Sequence, residues 1–166
     1  MTNIATRADW EAARLDLLDA EKAHMRAGDE LARRRRELPW VPIETDYSFD
    51  TEHGRRTLTE LFETRGQLVV YHFMYGADWE EGCPSCSFWA DNFDGIGAHL
   101  AARDVAFVAA STAPLEQLLA YRTRMGWSFP WVSTAGTTFN EDFDVAGSSR
   151  YNFTATKDTP PGVRWR

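Results

Sequence analysis

Apolar and polar positions follow two different periods along the middle of the chain. Residues 67–74 form a nearly continuous apolar run, which is typical of a buried strand. After Pro84, apolar side chains recur close to every 3.6 residues, which predicts a helix carrying Cys86, Trp89, Phe93, Ile96 and Leu100. Residues 105–110 form a second buried strand. A strand, a helix and a strand in this order predict a right-handed βαβ unit with parallel strands.

Turn residues mark the elements that follow. Pro114 indicates the start of a helix. Gly126 indicates its end, because the residue just after a helix often adopts a left-handed conformation that favours glycine. Phe139, Phe143 and neighbouring residues indicate a brief helical turn. Residues 151–156 and 163–165 alternate on either side of a connector rich in proline and glycine, which predicts an antiparallel hairpin. The pattern as a whole indicates an α/β fold with a central mixed sheet.

The stretch from Thr6 to Leu38 has the composition of one long helix, rich in alanine, leucine, glutamate and arginine. At about 1.5 Å per residue, it would extend roughly 45 Å. Every seventh position forms a stripe, with alanines three residues further on: Trp10, Leu17, His24, Leu31 and Leu38, then Ala13, Ala20 and Ala27. We expect a helical arm at 1–39 and a domain at 40–166. The stripe must either pack on the chain's own domain or pair with a second copy, and we expect a homodimer.

Cys83 and Cys86 are the only cysteines, and they stand three residues apart at the head of the predicted central helix. The first thiol would lie where unpaired N–H groups and the helix dipole stabilise a thiolate. Because the pair follows a strand within a βαβ unit, it indicates redox chemistry rather than a metal site. Two alternatives stay open: a pair of buried cysteines, and a zinc site completed by His72 and a fourth group. We expect no metal and no cofactor.

Charge and hydropathy limit the partners. With 18 basic and 25 acidic side chains the net charge is −7, which disfavours general binding to nucleic acid or a membrane surface. A run of about 18 apolar residues is absent, and the first residues lack the apolar core of a signal peptide. Two cysteines at this spacing, without others, suit a reducing compartment. The expectation is a soluble, cytoplasmic protein.

Two segments resemble a known family. Residues 71–91, with the sequence YHFMYGADWEEGCPSCSFWAD, look like the signature of the bacterial thioredoxin-like family known as domain of unknown function 899. Residues 125–133, MGWSFPWVS, are similar to its second block, and residues 47–73 resemble the opening of peroxiredoxins and related thioredoxin-fold proteins. The likeness covers roughly Trp10 to Val145. It implies a thioredoxin-like fold, with flanking helices on the mixed sheet, behind a long N-terminal helix.

The resemblance also implies an activity. A thiol-disulfide oxidoreductase of thioredoxin or peroxiredoxin type would use Cys83 as the attacking thiolate and Cys86 as the resolving thiol. Its substrate would be a protein disulfide, a small disulfide or a peroxide. Arg150 stands where a peroxiredoxin arginine stabilises the peroxide, but Glu80 stands where those proteins carry threonine or serine. A proline before Tyr151, expected of a thioredoxin, is missing. The alternative is a catalytically degenerate binding module of the same fold, also dimeric.

Aromatic residues near the thiols predict a substrate groove. We expect its lining to include Trp79, Glu80, Pro84, Trp89 and Trp127. The same aromatic side chains would equally suit the core. Glu80 and Glu81 lie close to Cys83 in sequence, and a nearby carboxylate disfavours a thiolate, in opposition to the helix dipole.

Overall fold

A computed structural model describes residues 4–145, and the chain divides into two compact units, Met1–Glu44 and Thr45–Arg166. The first unit contains α1 (Arg7–Arg36). The second contains, in chain order, β1 (Ser48–Thr51), β2 (Gly54–Thr57), a 3₁₀ helix (Thr59–Phe62), β3 (Gln67–His72), α2 (Pro84–Ala90), α3 (Gly97–Ala101), β4 (Val105–Ser111), α4 (Leu115–Met125), β5 (Trp131–Ser133) and α5 (Phe139–Asp142). The domain limits at residues 39 and 40 stay a prediction.

The long N-terminal helix is confirmed. Thr6 caps it, because its Oγ1 accepts the backbone N–H of Asp9 at 3.2 Å, and four arginines in the last turn complement the helix dipole. No side chain of α1 is buried. Within residues 4–145, neither this helix nor any other is long and apolar enough to cross a membrane.

The sheet has five strands in the order β2-β1-β5-β4-β3. β3 runs parallel to β4 in the register Gln67↔Val105 to His72↔Ala110, and β4 runs parallel to β5. β1 is antiparallel to both β2 and β5. The predicted βαβ unit and the mixed sheet are therefore confirmed.

Alternation along the strands divides the core between the two faces of the sheet. We call the face that packs against α2 and α4 the thiol face; its buried and partly buried side chains include Tyr71, Phe73, Cys86, Leu118, Tyr121, Trp127, Phe129 and Trp131. The opposite face packs against α5 and the 3₁₀ helix; its side chains include Tyr47, Phe49, Val70, Val108, Val132 and Phe139. Each face buries a separate aromatic cluster.

The structure differs from the predicted elements in two places. The helix expected to continue to Leu100 ends at Ala90, and α3 begins only at Gly97, after Gly95 adopts a positive φ of 85°. The β1–β2 hairpin is additional; its turn uses Gly54 at a φ of 92°, a conformation that favours glycine. The hairpin predicted for residues 151–165 lies outside the described residues.

Candidate active site

The two thiols lie at the start of α2, at the end of the sheet where β3 finishes. Cys83 is the N-cap residue, Pro84 occupies the first turn, and both cysteine side chains are partly exposed. The backbone N–H of Cys83 donates to the carbonyl of Met74 at 3.0 Å, which ties the head of the helix to the residues just after β3. The strand and the helix therefore position the first thiol together.

The first turn of α2 is held from α4 by a pair of hydroxyl groups. Ser87 Oγ donates to the Cys83 carbonyl at 3.0 Å and lies 2.8 Å from the Tyr121 hydroxyl. Both side chains are buried, and Tyr121 packs edge-on to Tyr75 and Trp127. The carbonyl of the first cysteine is thus fixed to the core by two side chains.

Tyr71 of β3 contacts the second cysteine from the sheet. Its hydroxyl donates to the Cys86 carbonyl at 3.0 Å, and its ring packs edge-on to Phe93 with centroids 4.9 Å apart. Burial, followed by the charges of the two thiols, raises the pKa of Tyr71 far above its ordinary value. Tyr71 is therefore a neutral hydrogen-bond donor at physiological pH.

The pKa of Cys86 is raised, and burial is the main cause. The backbone N–H of Met74 acts in the opposite direction, the neighbouring Cys83 thiol raises the pKa further, and the Tyr71 hydroxyl lowers it. Burial therefore favours the protonated form of the Cys86 thiol.

The loop before Cys83 is fixed at several points. Gln117 Nε2 donates to the Trp79 carbonyl at 2.8 Å, and Arg124 pairs with Glu81 at 3.0 Å while lying over the Tyr121 ring. This ion pair offsets part of the negative charge predicted to oppose the thiolate. Gly82 is also constrained, because an added Cβ would lie 2.6 Å from the Phe73 ring.

The predicted groove residues fall into two groups. Trp79, Glu80, Pro84 and Trp89 are exposed. Trp127 is only 6 % exposed: its Nε1–H donates to Asp91 at 2.8 Å, and its ring is parallel to that of Trp131, with centroids 5.8 Å apart. Stacking and this hydrogen bond hold Trp127 in the core of the thiol face, which favours the core alternative for this residue.

His72 lies on the opposite face of the sheet from the thiols. It stacks on Phe139 with ring centroids 5.4 Å apart, and burial lowers its pKa. The zinc site that paired His72 with both cysteines is therefore wrong, because alternation along β3 points Tyr71 and His72 in opposite directions. Among residues 4–145, His, Cys, Asp and Glu form no cluster of three able to hold a metal. Arg150 lies outside the described residues.

Sequence reasoning missed the hydroxyl groups around the thiols. Tyr71 stood in the predicted strand, and Ser87 stands four residues after Cys83, one helical turn away. The sequence therefore contained signals for Tyr71 and Ser87. Tyr121 comes from a separate helix, 34 positions along the chain from Ser87, so only the packing of α4 shows the contact.

The family predicted from the sequence is confirmed. Residues 1–161 match the model of a family described as "Bacterial protein of unknown function (DUF899)", and the chain belongs to this family. No curated protein matches the sequence.

Solved structures of peroxiredoxins and thiol-disulfide oxidoreductases are similar to parts of this chain. A cysteine-to-serine mutant of PrxQ from Xylella fastidiosa is 14% identical with a TM-score of 0.47, covering 65% of this chain and 69% of that one. A candidate thiol-disulfide oxidoreductase from Bacteroides vulgatus is 19% identical with a TM-score of 0.49, covering 68% and 75%. A yeast mitochondrial 1-Cys peroxiredoxin is 17% identical with a TM-score of 0.46, covering 69% and 57%. Membership of the family rests on the match over residues 1–161 and not on these solved structures.

Proposed function

We propose that this chain is a thiol-disulfide oxidoreductase whose redox centre is the pair Cys83 and Cys86. The observation that carries the proposal is the asymmetry of the two thiols. Cys83 stands at the head of α2, whereas Cys86 lies one turn further on, with its pKa raised by burial. This difference suits an attacking thiolate followed by a protonated resolving thiol.

The reaction has two steps. The Cys83 thiolate attacks one sulfur of a substrate disulfide, forms a mixed disulfide, and releases the other substrate sulfur as a thiolate that takes up a proton. Cys86 then loses its proton and attacks the Cys83 sulfur, which forms the Cys83–Cys86 disulfide and releases the second substrate thiol. With a peroxide, the first step instead gives a sulfenic acid on Cys83 and releases water or an alcohol, and the second step releases water.

A polypeptide disulfide is the substrate that we favour. Large apolar side chains are exposed on α2 and on the residues leading to it: Met74, Trp79, Phe88 and Trp89. Phe88 and Trp89 are 67% and 59% exposed, and apolar exposure next to a reactive thiol suits an extended peptide. Glu80, Pro84 and Trp89 remain proposed groove residues. Arg150 remains the proposed stabiliser in the peroxide variant, in which Glu80 supplies no hydroxyl.

Trapping with single-cysteine variants tests this function. Incubated with a disulfide-bonded peptide, Cys86→Ser should accumulate a mixed disulfide on Cys83, because the resolving thiol is missing. The matched variant Cys83→Ser should stay unmodified. Peptide mass mapping locates the adduct, and a parallel incubation with hydrogen peroxide tests for sulfenic acid. Adduct formation by Cys83→Ser alone would reverse the two roles. Inertness of both variants would favour the degenerate binding module.

The N-terminal helix is proposed to hold a homodimer. Trp10, Leu17 and Leu31 occupy positions of the seven-residue stripe, and each is about half exposed. A second copy would cover this stripe. Replacing Leu17 and Leu31 by lysine should convert the protein to a monomer in sedimentation, whereas Leu15→Lys, off the stripe, should leave the dimer intact. A full-length protein that is monomeric at about 100 µM, well above the Kd of a stable dimer, would contradict the proposal.

A further inference from the structure

A cavity opens at the end of the sheet where β3 and β4 begin, opposite the end that carries the thiols. Its volume is about 200 Å³, and parts of β4, β5, the β1–β2 hairpin, the 3₁₀ helix and α3 line it. The cavity borders a gap in the sheet. β5 pairs with β4 only from Ala109↔Trp131 onward, so residues 105–108 have no strand on that side within the part of the chain that the structure describes.

Pro130 explains why the ladder between β4 and β5 stops there. The Ala109 N–H donates to the Pro130 carbonyl at 2.9 Å. Phe107 lies two residues earlier in β4, so its backbone groups point to the same side of the strand as those of Ala109. Proline has no N–H to donate to the Phe107 carbonyl. The cavity therefore borders a strand edge whose backbone groups β5 does not pair.

The floor of the cavity is apolar. Its side chains include Leu61, Val105, Phe107, Val108, Pro130 and Trp131. Trp131 is 1% exposed, and its indole N–H has no hydrogen-bond partner among the described residues. A buried N–H without an acceptor is uncommon in native proteins, and in a cavity wall a bound molecule can supply the acceptor.

The rim of the cavity carries charges of both signs. Arg56 and Arg65 are half-buried and line the cavity together with Glu60 and Glu63. Among residues 4–145, neither arginine forms an ion pair. Because two positive and two negative groups balance, a simple anion or cation would meet repulsion as well as attraction. A ligand that carries both charges matches the rim better.

Two acidic residues of the lining differ in how they are held. Glu52 is already neutralised, because Arg122 of α4 donates to both of its carboxylate oxygens at 3.0 Å. Glu63 follows the 3₁₀ helix with a φ of 55° and a ψ of −113°, a strained conformation for a residue other than glycine. Strain of this kind is concentrated at functional sites. Glu63 is therefore the acidic group that we test.

We propose that this cavity binds a free α-amino acid with an apolar side chain. The side chain would lie on the floor, the carboxylate would accept hydrogen bonds from the arginines, and the ammonium group would donate to the glutamates. The volume is below the range of about 300–1,000 Å³ that is usual for drug-sized ligands, which suits a molecule this small. Binding is non-covalent and uses neither thiol, so it is independent of the proposed function.

Titration of the labelled protein followed by NMR tests the proposal with three related probes. L-leucine carries both charges, 4-methylpentanoate lacks the ammonium group, and 3-methylbutylamine lacks the carboxylate. We expect leucine to shift the backbone amide signals of residues 105–108 and the indole signal of Trp131. Leucine should bind about tenfold more tightly than either of the other probes, because each of them loses hydrogen bonds to charged groups.

Single substitutions at the rim assign the two charges. Arg56→Gln should weaken the binding of leucine and 4-methylpentanoate about tenfold and leave that of 3-methylbutylamine unchanged. Glu63→Gln should weaken the binding of leucine and 3-methylbutylamine and leave that of 4-methylpentanoate unchanged. Arg55→Gln is the matched control, because Arg55 is the neighbouring residue of β2, pairs with Asp50 at 3.4 Å and does not line the cavity. It should bind leucine as the wild-type protein does.

Equal affinities for leucine and 4-methylpentanoate would overturn the proposal in favour of a plain carboxylate site. Absence of leucine binding, leucine shifts that spare residues 105–108, or equal losses in Arg55→Gln and Arg56→Gln would also overturn it. The double variant of Cys83→Ser and Cys86→Ser should bind leucine normally. Failure of the thiol chemistry and failure of this site are therefore distinguishable.

Discussion

Aromatic side chains line both faces of the sheet, but their polar groups serve different elements. On the thiol face, Tyr71 donates to a carbonyl of α2, and Tyr121 reaches α2 through Ser87. On the opposite face, Tyr47 donates to Asp142 of α5 at 2.6 Å, and His72 stacks on Phe139. Tyr71 and His72, neighbours in β3, thus contact a helix with thiols on one side of the sheet and a helix without thiols on the other.

This contrast implies that stability and thiol chemistry can be separated. Damage to either aromatic cluster should weaken the fold, because each is buried to a similar degree. Only damage to the thiol face should also change the environment of Cys83 and Cys86. Matched substitutions on the two faces test this separation.

The largest effect is expected from truncating the core. Trp131 on the thiol face and Phe139 on the opposite face are 1% and 2% exposed. Replacing either by alanine should lower the free energy of unfolding by about 3–5 kcal/mol. Denaturant unfolding gives this loss, and alkylation at a temperature where both variants are folded gives thiol reactivity. Trp131→Ala should change the alkylation rate of Cys83 and Phe139→Ala should not; equal changes would remove the contrast between the faces.

A smaller loss is expected from Gly82→Ala. The added Cβ would lie 2.6 Å from the Phe73 ring and 3.0 Å from the Tyr121 ring. Relief of these contacts must shift the residue that precedes Cys83, at a cost of about 1–3 kcal/mol, and should alter thiol reactivity. Gly97→Ala is the control, because its Cβ meets nothing within 4 Å; in helix α3 it should not lower stability, and it should leave thiol reactivity unchanged. Wild-type alkylation rates in Gly82→Ala would show that this contact does not position Cys83.

Removing one hydroxyl from each face compares the two polar contacts. Tyr121→Phe loses the contact with Ser87, and Tyr47→Phe loses the contact with Asp142. Each should cost about 1 kcal/mol of stability in thermal or denaturant unfolding. The reduction potential of the thiol pair should shift only in Tyr121→Phe. A shift of the same size in Tyr47→Phe would mean that the sheet transmits changes between its faces.

The smallest effect concerns pH and the opposite face. Because burial lowers the pKa of His72 in the folded state, the unfolded chain binds more protons just below its ordinary pKa of about 6.5. The His72 contribution is therefore fully present above that pH and is lost as the pH falls. His72→Phe should flatten the decline of stability between neutral pH and about pH 5.5, as measured by urea unfolding. If stability declines with pH as in the wild-type protein, groups other than His72 cause the decline.

The sequence predicted the elements whose signals are local. A continuous apolar run predicted β3, and Pro114 with Gly126 predicted the limits of α4 closely, with Gly126 at a φ of 76°. The thiol pair was placed correctly because a strand, a loop and a proline precede the helix in order. These features depend on neighbours within a few residues, so a single sequence carries them.

Features that depend on tertiary packing could not be predicted. After Ala90 the backbone makes turn hydrogen bonds, from Asn92 to Trp89 and from Phe93 to Ala90, and the side chains of Asp91 and Asp94 accept hydrogen bonds from Trp127 and Ser128. Apolar periodicity alone gives no sign of these distant partners. The burial of Trp127 could not be predicted for the same reason, because it depends on stacking against residues of another element.

The disulfide itself tests the central claim most directly. The reduced protein is treated with mild peroxide, the remaining thiols are alkylated, and the intact mass is measured under non-reducing conditions. Thiols separated by one helical turn are near the spacing that a disulfide bridges, so we expect the disulfide to form within one chain. The measured mass should be that of a single chain that has lost two hydrogen atoms and carries no alkyl group. Persistent alkylation of both Cys83 and Cys86 after oxidation would contradict the redox account.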